Sequence, residues 1–323
     1  MADRVIRQIT VGDPLAHPAV AAWNRMTGAS AAPRSILRLN KGHSVVYRLT
    51  GLAPDRGSVI AKLCWQGDVQ TARDIYLRVL PLVPKPALTF HGSQKAHFHA
   101  AWLFVEDAGA ENYAPGNLRH RSAVSAWLGA LHASLARHPR GFSLPETGLC
   151  IYRRKLSDAQ GRITRSLSNL EFNSDDVATL RSALRLCERI ESQWNQIGAL
   201  VVDGPCTVVH GDLAPKNMLL RVAAGHIDVF PVDWETAGWG PPAADLGNPL
   251  DLTAYLDQAR QLGAKWSMPE VARWAAAGRV LRHIAAIEWA SARLEGGWPP
   301  RAVRRIAASL PDAMEAAELE TCV

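Results

Sequence analysis

The stretch Val208–Leu220, VVHGDLAPKNMLL, constrains this chain more than any other. Val208 and Val209 are β-branched and apolar, and Met218-Leu219-Leu220 is apolar again, so two buried strands flank a polar turn. The turn carries His210, Gly211 and Asp212, with Asn217 five positions after Asp212. At a strand end an aspartate can orient a substrate hydroxyl and accept its proton. An asparagine one loop-width away can offer an amide oxygen to a hard cation such as Mg²⁺. Such an ion needs a further acid from another strand. Val229-Phe230-Pro231-Val232 is an apolar strand that ends in Asp233-Trp234-Glu235. Pro241-Pro242-Ala243-Ala244-Asp245-Leu246-Gly247 follows closely.

The bulk properties exclude several other classes. With 323 residues, 48% of them hydrophobic and 20% charged, the chain has room for one large or two medium domains with a full core. No apolar run approaches the roughly 20 residues that span a bilayer, and MADRVIRQIT lacks the apolar stretch of a signal peptide. Cys64, Cys150, Cys187, Cys206 and Cys322 form no CxxC pair, which argues against zinc and a disulfide framework and for the cytoplasm. The net charge of +6 is dispersed: Arg119, Arg121, Arg153, Arg154, Arg301, Arg304 and Arg305 make no long tract, and no nucleic-acid partner is expected.

Taken jointly, HGDLAPKN, VDWE and GPPAADLG resemble the aminoglycoside phosphotransferase and choline kinase-like superfamily. The spacing of Asp212 and Asn217 is similar to that of the kinase catalytic loop, with Gly211 where protein kinases carry arginine. The resemblance implies an α+β, two-lobed, protein-kinase-like fold: residues 1–107 as a small antiparallel sheet lobe with a helix that binds nucleotide, and 108–323 as a larger, mainly helical catalytic and substrate-binding lobe. It implies Mg²⁺ and ATP or GTP as co-substrate. Asp212 would be the catalytic base, with Asn217 and Asp233 as metal ligands. His210 would brace the loop, and Asp245 would fix it by accepting backbone or histidine hydrogen bonds. Glu235 would stand behind the metal or belong to the acceptor site.

Upstream, Asp13-Pro14 opens a short helix over Ala19–Met26. Ile36–Leu39 and Val45–Leu49 read as strands around Asn40-Lys41-Gly42-His43. The resemblance sets nucleotide phosphates under this hairpin, at Gly42, His43 and Ser44. Ser58–Leu63 is a third strand carrying Lys62, either an edge lysine facing water or, as the resemblance implies, the group that neutralises phosphate oxygens. Thr71–Leu80 reads as a helix. The family expects a glutamate here to pair with the strand lysine, and this helix offers only Asp74. Either Asp74 substitutes, or Lys62 is oriented by something else, or the helix sits differently. Ala87–Phe90 and Trp102–Val105 read as strands, the second leading into Glu106 and Asp107, where the resemblance places a hinge whose backbone pairs with a nucleobase.

The remainder reads as helical. Ala123–His138 resembles the family's LHA helix, with His132 a buried or supporting histidine. Gly141–Leu167 reads as irregular, and Ser174–Ile197 as one long helix capped by Ser174. Further helices are expected around Leu252–Leu256, Val271–Ala286 and Arg301–Ala317. Trp239, Trp266, Trp274, Trp289 and Trp298 could be core or a ligand wall. A cationic acceptor would call on acids such as Asp251, Asp257, Glu270, Glu288 and Glu295. The resemblance thus implies a kinase acting on a hydroxyl of a small molecule, an aminoglycoside or other antibiotic, with resistance as one use. The alternatives are a metabolite kinase of the choline, homoserine or amino-sugar type, or a non-catalytic nucleotide-binding regulator.

Overall fold

The computed structural model describes residues 6–8, 13–41, 44–52, 57–109, 111–138, 140–223, 225–295 and 299–318. The chain begins β1 (Ile6–Gln8), α1 (Pro18–Thr27), β2 (Ser35–Lys41), β3 (Ser44–Thr50), β4 (Ser58–Trp65), α2 (Gln66–Asp74), β5 (Phe90–His97), β6 (Ala100–Glu106) and β7 (Glu111–Asn112). It continues α3 (Leu118–Ala136), α4 (Leu149–Ser166), α5 (Ser174–Ser192), α6 (Trp194–Ala199), β8 (Thr207–Val209), β9 (Met218–Ala223), β10 (His226–Pro231), β11 (Gly238–Gly240), α7 (Leu252–Gln261), α8 (Met268–Ser291) and α9 (Pro299–Ala316). Two compact units divide it. The first comprises Met1–Ala114, Pro139–Leu144 and Ala214–Thr236; the second comprises Pro115–His138, Pro145–Leu213 and Ala237–Val323.

The first unit is built on an antiparallel sheet of order β1-β2-β3-β4-β6-β5. Pleating sends alternate side chains to opposite faces. On one face Ile36, Leu49, Val59, Ala61, Trp102 and Phe104 form a core with Val20 and Trp23 of α1. On the other, Val46, Ile60, Lys62, Cys64, Leu103 and Val105 line a pocket. Lys62 is therefore turned into the pocket by the same parity that buries Ala61 in the core. Since β4 lies between β3 and β6, Lys62 is not an edge lysine. A second sheet of the same unit, β10-β9-β7, pairs Pro231 with Met218 and Leu220 with Glu111.

Two boundaries here differ from the sequence reading. The helix starts at Gln66, not Thr71, directly off β4, and its capping position, Trp65, makes no side-chain cap. Beyond Asp74 it loosens into a π-turn over Ile75–Val79. Strand β5 begins at Phe90 rather than Ala87, because the Thr89 N–H goes to the Glu106 carboxylate at 3.0 Å.

The second unit is mainly helical, with the short pair β8–β11. The expected irregular stretch Gly141–Leu167 is corrected: Leu149–Ser166 is helix α4, with Tyr152, Leu156, Ala159 and Ile163 buried along one stripe. The long helix expected over Ser174–Ile197 divides at Gln193 into α5 and α6, and its cap is Asn173, not Ser174. The Asn173 side chain accepts from the N–H groups of Asp175 and Asp176, both at 2.9 Å, in a capping box with Asp176. Helix α8 opens with a second such box, Ser267 with Glu270.

Helices α3 and α7 cross at Gly129, where a Cβ would overlap the main-chain oxygen of Tyr255. Backbone cannot yield as a side-chain tip can, so Gly129→Ala should cost about 1–3 kcal/mol as overpacking. A thermal melt should show the midpoint several degrees lower; an unchanged midpoint contradicts this account of the crossing.

Candidate active site

Within the first unit the pocket runs between two chemically different ends. Its walls are aliphatic, from Leu39, Val46, Ile60, Leu103, Val105 and Leu219. At one end are Lys62, Asp233 and Glu235; at the other, Glu106, Asp107 and Ala108. Lys62 is buried (8% exposed) and forms ion pairs with Asp233, at 3.1 Å, and with Glu235. Burial alone would lower the Lys62 pKa, but the two carboxylates reverse that and hold it above the ordinary lysine range. The same burial pushes the neighbouring Cys64 thiol up to about 12, so it stays protonated at neutral pH.

Asp233 is placed by its backbone. Strand β10 ends at Pro231, the Val232 N–H donates to the main-chain oxygen of Asn217 at 2.8 Å, and Asp233 follows at φ 68°. Among the described residues it is the only non-glycine with positive φ, a conformation that aspartate adopts at a modest penalty and that concentrates at functional sites. Trp234 fixes the next turn: it is buried, and its indole N–H donates to Pro231 O at 3.1 Å. Asn217 is buried, at the end of a 3₁₀ turn over Pro215–Asn217. Asn217 and Asp233 are hard oxygen donors from backbone-linked positions, and Asp233 already faces a cation. That donor set fits Mg²⁺. Among the described residues no group of three or more His, Cys, Asp or Glu side chains is set to hold a metal, so such an ion would complete its shell with phosphate oxygens and water.

At the other end of the pocket the charged side chains are paired with one another or with neighbours. Glu106 is engaged by Arg221 at 3.0 Å and by Thr89, and Asp107 by Arg48 at 3.1 Å. Their N–H groups donate to Thr89 O at 2.8 Å and Ser58 O at 3.2 Å. Ala108 comes next: it is buried, and its N–H makes no hydrogen bond among the described residues. Ser44 opens β3 opposite Lys41, outside the pocket lining; Gly42 and His43 lie outside the described residues.

Asp74 does not substitute for the expected helix glutamate. It pairs with Arg78 of its own helix at 3.7 Å and accepts from Gln70 at 3.3 Å. The helix presents Asp68, Ala72 and Tyr76 to the pocket instead. Sequence reading passed over Asp68 and Tyr76 because it started the helix after the first and expected an acid, not a phenol, on that face.

In the second unit the His210–Asp212 turn is organised by one carboxylate. Asp245, 1% exposed, accepts from the N–H groups of His210 at 2.7 Å and Gly211 at 2.9 Å. It also faces His132 Nε2 at 3.3 Å, and His132 Nδ1 lies 3.0 Å from the Tyr255 hydroxyl. An Nε2–H tautomer of His132, with Tyr255 donating to Nδ1, satisfies all three groups. Gly211 takes φ 76°, open to glycine, and the Asp212 N–H donates to His210 Nδ1 at 3.3 Å. The Asp212 side chain is left exposed. Tyr152 and Lys155 of α4 feel its charge: the Tyr152 pKa is raised by burial and then by Asp245 and Asp212, while burial lowers that of Lys155 against the pull of Glu288 and Asp212. The sequence shows both within the basic stretch Tyr152-Arg153-Arg154-Lys155, but an irregular segment gives them no common face.

Of the five acids named for a cationic acceptor, Asp251 and Glu270 cap α7 and α8, Glu288 and Glu295 pair with Arg162 at 2.6 Å and Arg165 at 2.7 Å, and Asp257 is exposed on α7. Trp239 and Trp274 are buried, Trp266 packs between Tyr255 and Trp274, and Trp289 is half exposed. Trp298 lies outside the described residues.

Burial raises the Asp245 pKa, but the His132 bond, the electrostatic pull of the His132 and His210 rings and the His210 N–H bond outweigh it, so the folded value lies below the unfolded one. Its stabilising contribution is therefore full above the unfolded pKa of about 4 and is lost as pH falls through the folded value. Asp245→Asn should destabilise the protein at pH 7 by about 3 kcal/mol or more. Its melting temperature should then fall less steeply than wild type below about pH 4; parallel curves contradict the assignment.

Comparisons with known proteins agree with this architecture. The profile described as "Phosphotransferase enzyme family" matches residues 35–295. No curated protein matches the sequence. Similar solved structures include the GDP and kanamycin complex of APH(2")-IIia, at 13% identity and TM-score 0.62, covering 92% of this chain and 97% of that one. A spectinomycin phosphotransferase in complex with ADP and spectinomycin aligns at 12% identity and TM-score 0.61, over 89% and 94%. An ethanolamine kinase from Plasmodium vivax aligns at 11% identity and TM-score 0.60, over 87% and 83%. At these identities the likeness carries the fold, which is α+β and protein-kinase-like, as the motifs implied. With the profile spanning most of its length, the chain belongs to the phosphotransferase enzyme family.

Proposed function

We propose that this protein is a small-molecule kinase that moves the γ-phosphoryl group of a Mg²⁺-bound nucleoside triphosphate, ATP or GTP, to a hydroxyl of a small acceptor. The observation that carries the reading is the first-unit pocket: an apolar slot with an open backbone N–H at Ala108 and a buried lysine with two acids opposite. A planar base suits the slot, with its edge on Ala108, and phosphates suit the Lys62 end.

Phosphoryl transfer asks a protein mainly for alignment and charge neutralisation. Lys62 would bind non-bridging phosphate oxygens, and Asn217 and Asp233 would hold Mg²⁺. When bound, the cation would neutralise charge on the phosphates and fix their orientation. Asp212 would orient the acceptor hydroxyl and accept its proton as the O–P bond forms. His210 and Asp245 would keep Asp212 in register through the hydrogen bonds described above. A nucleoside triphosphate co-substrate puts the proposed reaction in the cytoplasm, and among the described residues no helix is long and apolar enough to cross a membrane.

Bound ADP in one fold neighbour and GDP in another support a nucleotide co-substrate of either base. Kanamycin, spectinomycin and ethanolamine, named with the neighbours, support an acceptor that carries a hydroxyl, whether antibiotic or metabolite. The metabolite reading gains from the engagement of Asp251, Glu270, Glu288 and Glu295 in caps and ion pairs, which leaves them poorly suited to a polycation.

Asp212→Ala should keep the fold and nucleotide affinity but lower turnover by roughly 10² or more. A thermal-shift screen of hydroxylated amines and antibiotics with Mg²⁺–nucleotide would first identify the acceptor, through linkage of binding to stability. Near-normal turnover of the variant on that acceptor would remove Asp212 from the chemistry.

A further inference from the structure

We propose that Glu235, rather than any acid of α2, is the residue that positions Lys62 for phosphate binding. The assignment rests on the kinase reading above. It follows from the options open to a buried ammonium on the inner face of β4. Such a group needs a fixed counter-charge, or it turns away to water. On α2, Asp74 is held by Arg78 and Gln70. On the pocket-facing side of that helix, Tyr76 is buried and stacked on Phe90, with ring centroids 6.1 Å apart, and offers no charge. Asp68 lines the pocket but makes no ion pair with Lys62 among the described residues.

The carboxylates that do meet Lys62 are Asp233 and Glu235, from one turn at the end of β10. They are not equivalent. Asp233 is the residue whose oxygen a hard cation would claim, and a carboxylate drawn onto a divalent ion can no longer orient an ammonium alone. Glu235 lies two residues on, in a 3₁₀ turn fixed by the Trp234 indole, and keeps its hold when Asp233 turns to the metal. On nucleotide binding Lys62 then exchanges one carboxylate for a phosphate oxygen and retains the other. The turn after β10 thus supplies both the cation's acid and the lysine's anchor, leaving the helix face free for a tyrosine.

Calorimetric titration of the full-length protein with ADP, in Mg²⁺ and separately in EDTA, tests this. In Mg²⁺, Glu235→Gln should weaken ADP binding by about tenfold or more, the size expected for a lost hydrogen bond to a charged group; in EDTA, where Asp233 stays on Lys62, the loss should be smaller. Added to Lys62→Met, it should change affinity less than about twofold. Asp74→Asn should bind like wild type. If Glu235→Gln does not fold, Glu235→Asp should show a smaller loss of the same pattern. A loss as large in EDTA as in Mg²⁺, an undiminished loss on the Lys62→Met background, or a tenfold loss in Asp74→Asn would each overturn the assignment. Wild-type protein that binds ADP in neither buffer would instead overturn the kinase reading, and this assignment with it.

Discussion

A lysine on the inner face of a central strand governs the first unit. Strand parity leaves Lys62 no choice of side: with Val59, Ala61 and Leu63 against the α1 core, the ammonium must enter the pocket. An unpaired ammonium there would be strongly disfavoured. The chain answers with a turn that presents Asp233 and Glu235 together, one of them from a left-handed backbone position. Without those acids the lysine would tend to lose its proton or leave the pocket, and the polar end of the slot would lose its positive charge. The stability of this region and its affinity for anions rest on one electrostatic arrangement.

The second unit solves a related problem around Asp245. A fully buried carboxylate is stable there because two backbone N–H groups and a histidine surround it. The same bonds fix the conformation of His210–Asp212, so the exposed side chain of Asp212 projects from a backbone that cannot drift. The Tyr255 hydroxyl completes the set by binding the far nitrogen of His132. Each unit thus keeps its charged groups in register by burying a partner beside them.

Much of this was legible in the sequence. Short apolar runs and the turn residues between them located the strands around Lys62, and the HGD, VDWE and DLG segments pointed to the loops and to the family. Caps were less visible. Helices α2 and α4 follow Trp65 and Gly148, which make no side-chain cap, so start signals had nothing to mark. In α4 the stripe Tyr152, Leu156, Ala159 and Ile163 is present in the sequence, but it carries only four buried apolar or aromatic positions among many polar ones and no cap marks its start. The anchor of Lys62 was beyond sequence reasoning. Nothing in the spacing of Lys62 and Glu235 announces that they touch, and a helix acid was the natural expectation. Three-dimensional pairing across so long a separation is a tertiary fact.

A crystal structure with Mg²⁺ and a non-hydrolysable ATP analogue tests the central claim most directly. The account predicts the base in the aliphatic slot with its edge on the Ala108 N–H, a phosphate oxygen in hydrogen-bond reach of Lys62 Nζ, and the metal on Asn217 and Asp233. A nucleotide bound elsewhere on the chain, with Lys62 still joined to both acids, would contradict it.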